Sequence, residues 1–341
     1  MMSVIIVDDA PPSKRVKTKV AADAQMSGDN HPVDTSKRPK SNAESSSKTK
    51  YTNDDLPAGS TLNGAWRGVL IPSYVKWYGS MYHAWGVKPA EECKILQLHW
   101  DTVYAERIPA VVEVDGPIHY VSNQRLIEWR SGLASVSLSM VTSLVASDPK
   151  FQAPEGLREL GKFWLTDKRY LFKDISAKDK SHYTGMWQSA FILQVFAAHL
   201  NYVQGAVDVP DLEDHDYTPR AALALSAAAL ERVFTLLTED AITFEVITPK
   251  KMKKKNASST RKKPNWKATI RNGEAFSAQR WARDTERLLK ATKHIPADAW
   301  EIIIAGAQKF AKEALNKDND NDESSDSDED DDDYTDLYAF R

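Results

Sequence analysis

The sequence predicts an all-α protein, in which one multi-helix globular domain carries charged segments before it, within it and after it. Three observations predict this class. Apolar residues in the middle of the chain recur mostly at the three- and four-residue spacing of amphipathic helices. Proline or a capping residue stands at the start of several of these runs. The segments on either side are polar and charged, and they contain few large apolar side chains.

The first part of the domain is predicted to hold two helices and a hairpin. Pro72 and Pro89 each suit the first turn of a helix, where the missing N–H of proline would be unpaired in any case. Segment 108–121 alternates weakly between apolar and polar residues. This alternation predicts a β-hairpin whose turn is Asp115-Gly116.

The rest of the domain is predicted to be helical. Segment 185–203 is apolar on nearly all sides, as expected of a buried central helix. Pro219 signals the start of another such helix, with Thr218 as its cap, and Ser277 is the predicted N-cap of a later one. Asp148-Pro149 ends the longest helix. The predicted helices cover residues 124–145, 155–165, 185–203, 219–237, 276–291 and 296–315.

Aromatic residues are abundant, with ten tryptophans and twelve tyrosines. Most of them lie inside the predicted helices, and no tight cluster of exposed aromatic residues can be seen in the sequence. They predict an aromatic core, with a base-stacking role as the less favoured alternative.

Charge divides the chain into predicted regions. Residues 1–60 hold nine Lys/Arg and eight Asp/Glu among polar residues, and they are predicted to be a disordered tail. A helical domain at 61–316 follows, interrupted by a basic loop at 244–272. Residues 317–341 are predicted to be a disordered acidic tail, because residues 318–341 hold twelve Asp/Glu and a single base, Arg341. Such charge blocks usually serve as interaction arms.

The composition restricts the compartment. Cys93 is the only cysteine, so an intrachain disulfide and a thiolate zinc site within one chain are excluded. No apolar run is predicted to span a membrane, which needs about 20 residues. The apolar stretch 4–7 is too short for the core of a signal peptide, about 7–15 residues. We therefore expect a soluble intracellular protein with no membrane partner.

The N-terminal sequence VIIVDDAPPSKRVKTK raises the alternative of a receiver domain, in which Asp8 and Asp9 would hold Mg²⁺. That fold needs a second buried parallel strand within roughly 40–50 residues. The region SKRPKSNAESSSKTKYTNDD, at 36–55, has no apolar run. Because a strand buried on both faces must be largely apolar, the receiver interpretation fails.

An aliphatic stretch followed by acid resembles a SUMO-interacting motif. Its residues are Val4, Ile5, Ile6 and Val7. In such a motif an extended segment adds as a strand to the edge of a partner sheet, and β-branched residues favour that extended form. The alternative is an incidental apolar segment. SUMO or SUMO-modified proteins are therefore candidate partners.

A basic motif follows at once and closely resembles a short nuclear-localisation signal of the Pro-x-x-Lys-Arg-x-Lys kind. Lys14, Arg15 and Lys17 are its charged residues. A second basic cluster, 37–40, is close enough to assist. Import receptors bind extended, base-rich segments, so we expect an import receptor as a partner and a nuclear location. The alternative is a solvated basic tail.

The basic loop is the predicted nucleic-acid contact. A segment with many bases and no acid attracts phosphates by counterion release, without sequence preference. Trp266 would either stack on a base or pack against the domain. An additional import signal or a plain solvated loop are the alternatives for the loop as a whole. The candidate residues are Lys250, Lys251, Lys253, Lys254, Lys255, Arg261, Lys262, Lys263 and Lys267.

The acidic tail has several competing interpretations. Ser325 and Ser327 each have an acid three residues later, the pattern that acidophilic kinases prefer, and phosphorylation would deepen the negative charge. The tail could bind histones, compete with nucleic acid for the basic loop, or act as an acidic-hydrophobic activation segment. A solubilising tail is the fourth alternative.

A search for an active site finds no constellation for catalysis, and no cofactor or metal is predicted. Segment 208–217 is rich in acids, but it lacks the glycine and the final glutamate of a calcium loop, so we interpret it as a polar loop. His99 and His199 lie on apolar helical faces and are interpreted as core histidines. Glycine-rich phosphate loops and nucleophile elbows are absent.

Five segments stand out together: WDTVY (100–104), QRLIEWRSGLAS (124–135), PRAALALSAAALERV (219–233), FSAQRW (276–281) and AW (299–300). They resemble an uncharacterised multicopy family of basidiomycete fungi that is linked to mobile elements. The resemblance covers most of 63–310 and rests on helix-packing residues. It implies a helical protein, and it brings no activity and no catalytic residue to this chain.

These observations favour a nuclear, non-enzymatic interaction protein that bridges nucleic acid or chromatin to protein partners through its charged arms. One alternative is a degenerate or active metal-dependent nuclease-like enzyme of mobile-element origin, with Asp101, Glu128 and Asp174 as candidate carboxylates. Another is a purely structural protein-binding module.

Overall fold

The computed structural model describes residues 50–176, 179–247 and 265–319. These residues are mainly helical, which confirms the all-α class. The helices are α1 (Ile71–Ser80), α2 (Pro89–Tyr104), α3 (Pro117–Ser147), α4 (Pro154–Leu165), α5 (Ala190–Tyr202), α6 (Arg220–Thr238), α7 (Ala278–Thr292) and α8 (Ala297–Asn319). Two antiparallel hairpins accompany them, formed by β1 (Phe172–Asp174) with β2 (Thr184–Met186) and by β3 (Ile242–Ile247) with β4 (Asn265–Ile270).

Local sequence sets most helix starts. Pro72 and Pro89 lie in the first turns of α1 and α2, as predicted. Helix α5 begins at residue 190, because the Ser189 hydroxyl accepts a hydrogen bond from the Ile192 N–H at 3.1 Å. The predicted start at residue 185 is therefore too early, and β2 occupies that stretch instead.

Helix α6 is the centre of the core and contacts α1, α3, α4, α5 and α7. Small residues on its surface let these helices approach closely. The approach of α4 also requires Gly161, since a Cβ there would lie 2.6 Å from the Phe234 carbonyl oxygen. Trp66, Trp100 and Trp129 are fully buried elsewhere in the core, as predicted for most of the aromatic residues.

By length and composition α6 could cross a membrane, so the expectation that no run in the sequence reaches that length was wrong. In the structure 83% of its most apolar window is buried within the protein. That burial is typical of the core helix of a globular domain. The start of α6 also differs from the prediction, because Pro219 takes the N-cap position and Thr218 does not cap the helix.

Packed structure begins before residue 61. Leu56 is buried, and the Tyr104 hydroxyl donates a hydrogen bond to the carbonyl oxygen of Ser60 at 2.6 Å. Arg125 donates to the Asn53 side-chain oxygen at 3.0 Å. The prediction of a disordered tail reaching residue 60 is therefore wrong for 50–60. This segment is held by one buried leucine and a few polar contacts, so its sequence has no repeating apolar pattern that would predict packed structure.

The predicted hairpin at 108–121 was also wrong. The extended residues before the turn bond to a side chain of α2 instead of a partner strand. The Gln97 amide nitrogen donates to the Ala110 carbonyl at 3.0 Å, and its oxygen accepts from the Val112 N–H at 2.7 Å. Pro117 then starts α3, so residues after the turn are helical. The long helix predicted at 124–145 is confirmed and is longer at both ends.

Candidate functional site

The basic segment, residues 248–264, contains eight Lys/Arg and no Asp or Glu. It joins β3 to β4, whose last register position pairs Ile247 with Asn265. Directly opposed residues of an antiparallel pair have Cα atoms about 4.5–5.5 Å apart. The hairpin therefore brings both ends of the basic segment together, and all eight charges are attached at one place on the domain.

The hairpin that carries this segment is anchored to the core. Ile242, Trp266 and Ala268 lie on one face of the two strands and are buried, and β4 contacts α3. The backbone N–H of Arg271 donates to the Ala241 carbonyl at 2.9 Å and closes the base of the hairpin. The attachment point of the basic segment is therefore fixed relative to the helices.

Two predicted features of the basic loop need correction. The boundaries 244–272 were wrong, because they include the last four residues of β3 and the whole of β4. Lys267 belongs to β4, where it is half-buried and directly opposite Glu245. Opposite charges in such cross-strand positions attract each other, so Lys267 is a poorer phosphate ligand than predicted. Trp266 is 7% exposed, which confirms that it packs against the domain.

The other predicted binding residues lie outside the described residues, and their roles stay predictions. They are Val4, Ile5, Ile6 and Val7; Lys14, Arg15 and Lys17; Lys250, Lys251, Lys253, Lys254, Lys255, Arg261, Lys262 and Lys263; and Ser325 and Ser327.

The three carboxylates considered for a nuclease-like site are not brought together. Asp101 lies on α2, Glu128 on α3 and Asp174 on β1. Glu128 accepts two hydrogen bonds from Arg125, at 2.5 and 2.7 Å. The Ser176 N–H donates to Asp174 at 2.9 Å and lowers its pKa. Among the described residues, no group of three or more His, Cys, Asp or Glu is placed to hold a metal ion.

A buried polar cluster links α1, α2 and α3. Glu92 accepts hydrogen bonds from the Tyr78 hydroxyl at 3.1 Å and from His119 Nε2 at 3.2 Å. His119 Nδ1 accepts the backbone N–H of Asp115 at 3.1 Å, so its proton must lie on Nε2. The guanidinium of Arg130 lies 5.0 Å from the centre of the Tyr78 ring. Sequence analysis missed this cluster, because the four helical residues are far apart in the chain.

The cluster is suited to stabilise the helices. Burial raises the pKa of Glu92, but hydrogen bonds from His119 and Tyr78 outweigh burial, and the net pKa is lowered. Burial is also the main cause that raises the pKa of Tyr78 to about 12. Glu92 therefore stays ionised and Tyr78 stays protonated at neutral pH. A carboxylate with these partners holds three helices together.

Segment 208–217 is tied to the end of α1. The Ser80 hydroxyl donates to the Trp77 carbonyl at 2.6 Å, so His215 Nε2 donates to Ser80 Oγ at 2.7 Å. Lys76 forms an ion pair with Asp208 at 2.9 Å. A serine–histidine contact of this length is found in nucleophilic catalysis, but the side chain of Ser80 is fully buried here. The contact fastens a polar loop, in agreement with the sequence interpretation.

The two histidines interpreted as core residues are buried, at 0% exposure for His99 and 2% for His199. His99 Nδ1 lies 2.8 Å from the Ile95 carbonyl oxygen and donates to it. Burial lowers the pKa of both histidines, to about 3 for His199. Both side chains are therefore neutral near pH 7 and pack as part of the core.

Comparison with family models, with curated proteins and with solved structures finds no match to this chain. The resemblance to the fungal family stays a prediction. The structure itself shows a helical domain in which a hairpin, anchored to the core, carries a charged segment.

Proposed function

We propose that this protein binds nucleic acid through the basic segment and acts in the nucleus as a non-enzymatic bridge between nucleic acid or chromatin and protein partners. The observation that carries the proposal is the attachment of eight bases, with no acid between them in the sequence, at the end of a hairpin that the buried Ile242, Trp266 and Ala268 anchor to the core. A group of cations with no acid in its own sequence attracts phosphates.

Attachment through a hairpin also favours contacts of the basic segment to several phosphates of one nucleic acid. Because both ends of the basic segment are attached at one hairpin, contacts to phosphates of one strand or duplex are favoured over contacts to separate molecules. Each contact releases counterions, and the released ions make the affinity salt-dependent. The interaction does not depend on base sequence, since Lys and Arg contacts to phosphate carry no sequence information.

The charged terminal segments supply the remaining parts of the proposal. The motif at Lys14, Arg15 and Lys17 would bind an import receptor, and the acidic residues 318–341 would bind basic proteins such as histones. The bridging role needs both the basic segment and these segments in one chain.

The test of nucleic-acid binding is the salt dependence of affinity for a duplex of arbitrary sequence, measured by fluorescence anisotropy with the full chain. A variant with Lys250, Lys251, Lys253 and Lys254 changed to Gln should bind more weakly. If all four bases contact phosphates, the slope of log affinity against log salt should become less negative by about 3.6, at about 0.9 per contact.

The matched control removes the same charge from exposed bases on the helical body. Its substitutions are Arg67→Gln, Lys88→Gln, Lys94→Gln and Lys162→Gln. We expect the control to keep the wild-type slope to within about one contact. Equal slopes for wild type and the basic-segment variant would show that this segment does not bind nucleic acid.

Nuclear import is tested separately in cells with a fluorescent fusion of the full chain. Changing Lys14, Arg15 and Lys17 to Ala should move the fusion from the nucleus to the cytoplasm, because import receptors need these positive charges. An unchanged nuclear signal would contradict the role of this motif while leaving the binding assay unaffected.

A further inference from the structure

Helix α7 presents a basic face to solvent. Its buried residues are Thr285, Leu288, Leu289 and Thr292. On the opposite side four exposed bases recur at steps of three, four and three residues, which places them on one face of an α-helix. These residues, Arg280, Arg283, Arg287 and Lys290, form the α7 basic face.

Two of the four bases have no acidic partner among the residues that the structure describes. Arg280 pairs with Glu274 at 2.9 Å, and Arg287 pairs with Asp284 at 2.9 Å. Arg283 lies between these two residues on the helix, and Lys290 follows Arg287. Neither Arg283 nor Lys290 has a hydrogen bond or ion pair with any described residue. Since exposed ion pairs contribute little free energy, about 0–1 kcal/mol, Arg287 can exchange Asp284 for a phosphate. Arg280 is held more firmly, because the side chain of its partner Glu274 is only 11% exposed.

The α7 basic face is held in a fixed position relative to the hairpin. The connection from β4 to α7 spans residues 271–277, and α6 fastens it: Arg232 Nε donates to the Glu274 carbonyl at 2.8 Å. Arg232 is buried, and burial lowers its pKa to about 10, so it remains charged at neutral pH. The strand β4 has six residues, a length of about 20 Å.

We propose that the α7 basic face is a second phosphate-binding surface that contacts the backbone of the same duplex as the basic segment. The proposal rests on the proposed function and deepens it. From Arg280 to Lys290 the face is about 15 Å long, at 1.5 Å per residue. A duplex carries about nine phosphate charges over that length, so each of the four bases has a phosphate within reach.

This arrangement combines two kinds of contact. The basic segment contributes most of the charge, whereas the helix contributes side chains on a rigid scaffold that the core positions. Contacts from a helix orient a protein on the duplex without reading bases. We therefore expect double-stranded nucleic acid to bind more tightly than a single strand of equal length.

The test is the double variant Arg283→Gln/Lys290→Gln in the full chain, measured against a duplex of arbitrary sequence over a range of salt. Losing two phosphate contacts should make the salt slope less negative by about 1.8 and weaken affinity about thirtyfold at about 0.15 M salt. Both residues are exposed, so the thermal unfolding midpoint should stay unchanged. The charge-conserving variant Arg283→Lys/Lys290→Arg should keep the wild-type slope.

The matched control is Arg67→Gln/Lys94→Gln, which removes the same charge from two exposed positions, one just before α1 and one on α2. Equal losses in the control and the α7 variant would overturn the inference, since they would reflect net charge alone. A duplex affinity that depends on the basic segment but not on the α7 variant would also overturn it, while leaving the proposed function intact. No binding by the wild-type chain would instead contradict the proposed function.

Discussion

Gly79 provides a sharp test of how tightly the core is packed. It lies in α1, and a Cβ at this position would be 2.7 Å from His199 Cε1, 3.1 Å from His199 Nε2 and 3.4 Å from Ala222 Cβ. Carbon atoms do not approach this closely, so the side chain of His199 would have to move. It cannot move easily, because its ring is 2% exposed and packs against Trp129 and Phe196.

The expected effect of Gly79→Ala is a balance of two terms. Alanine favours a helix over glycine by about 1 kcal/mol. Overpacking of a core costs about 1–3 kcal/mol. The net change should therefore lie between about 0 and 2 kcal/mol of lost stability. Gly132→Ala in α3 is the control, because its Cβ would meet nothing within 4 Å and should raise stability by up to about 1 kcal/mol.

The assay is urea unfolding followed by tryptophan fluorescence and circular dichroism. A second background, His199→Ala, removes the obstructing ring, so Gly79→Ala should become stabilising there by about 1 kcal/mol. The coupling between the two sites should be about 1–3 kcal/mol. If Gly79→Ala stabilises the wild-type protein as much as Gly132→Ala does, the described contact between α1 and α5 is wrong.

Two further predictions concern buried polar groups. Burial lowers the pKa of His199 from 6.5 to about 3. The contribution of His199 to the stability of the folded protein is therefore fully present above pH 6.5 and is lost as the pH falls toward 3. Because of His199, the free energy of unfolding should be about 2 kcal/mol lower at pH 5 than above pH 7. The substitution His199→Asn should remove this pH dependence, whereas His83→Asn, at an exposed position, should not. Tyr78→Phe leaves Glu92 without one donor and should lower the free energy of unfolding in urea by about 1.5–3 kcal/mol. The control Tyr120→Phe should change little, because the Tyr120 hydroxyl bonds to no described residue. If the pH dependence of unfolding of His199→Asn coincides with that of the wild type, the burial of His199 is contradicted. If the urea unfolding curve of Tyr78→Phe coincides with that of the wild type, the Tyr78–Glu92 hydrogen bond is contradicted.

The basic segment shows how far sequence reasoning reaches for the candidate site. Charge density identified it, because density is a property of composition. The strands on either side were missed, since β3 and β4 are short and Trp266 and Lys267 lie next to many charged residues. Their pairing follows from burial of Trp266 and Ala268 against α3, which is a contact between distant parts of the chain.

The α7 basic face is visible in the sequence only in part. The four bases are visible in the sequence at helical spacing, but the spacing does not say whether their side chains are paired or free. The pairing of Arg280 with Glu274 depends on the connection before α7, and this connection is held by Arg232 from α6. The free charge of Arg283 and Lys290 is therefore a tertiary result.

The sequence by itself determined the helical class, the starts of α1 and α2 at Pro72 and Pro89, and the division into an apolar body and charged segments, because periodicity, proline geometry and charge act over a few neighbouring residues. Only the tertiary structure decided that Ala110 and Val112 bond to Gln97 instead of forming a hairpin and that Glu92 accepts a hydrogen bond from His119. It also fixed the hairpin as the carrier of the basic segment. These outcomes depend on which surfaces the core brings together, and a hydrogen bond between distant residues leaves no local pattern in the chain.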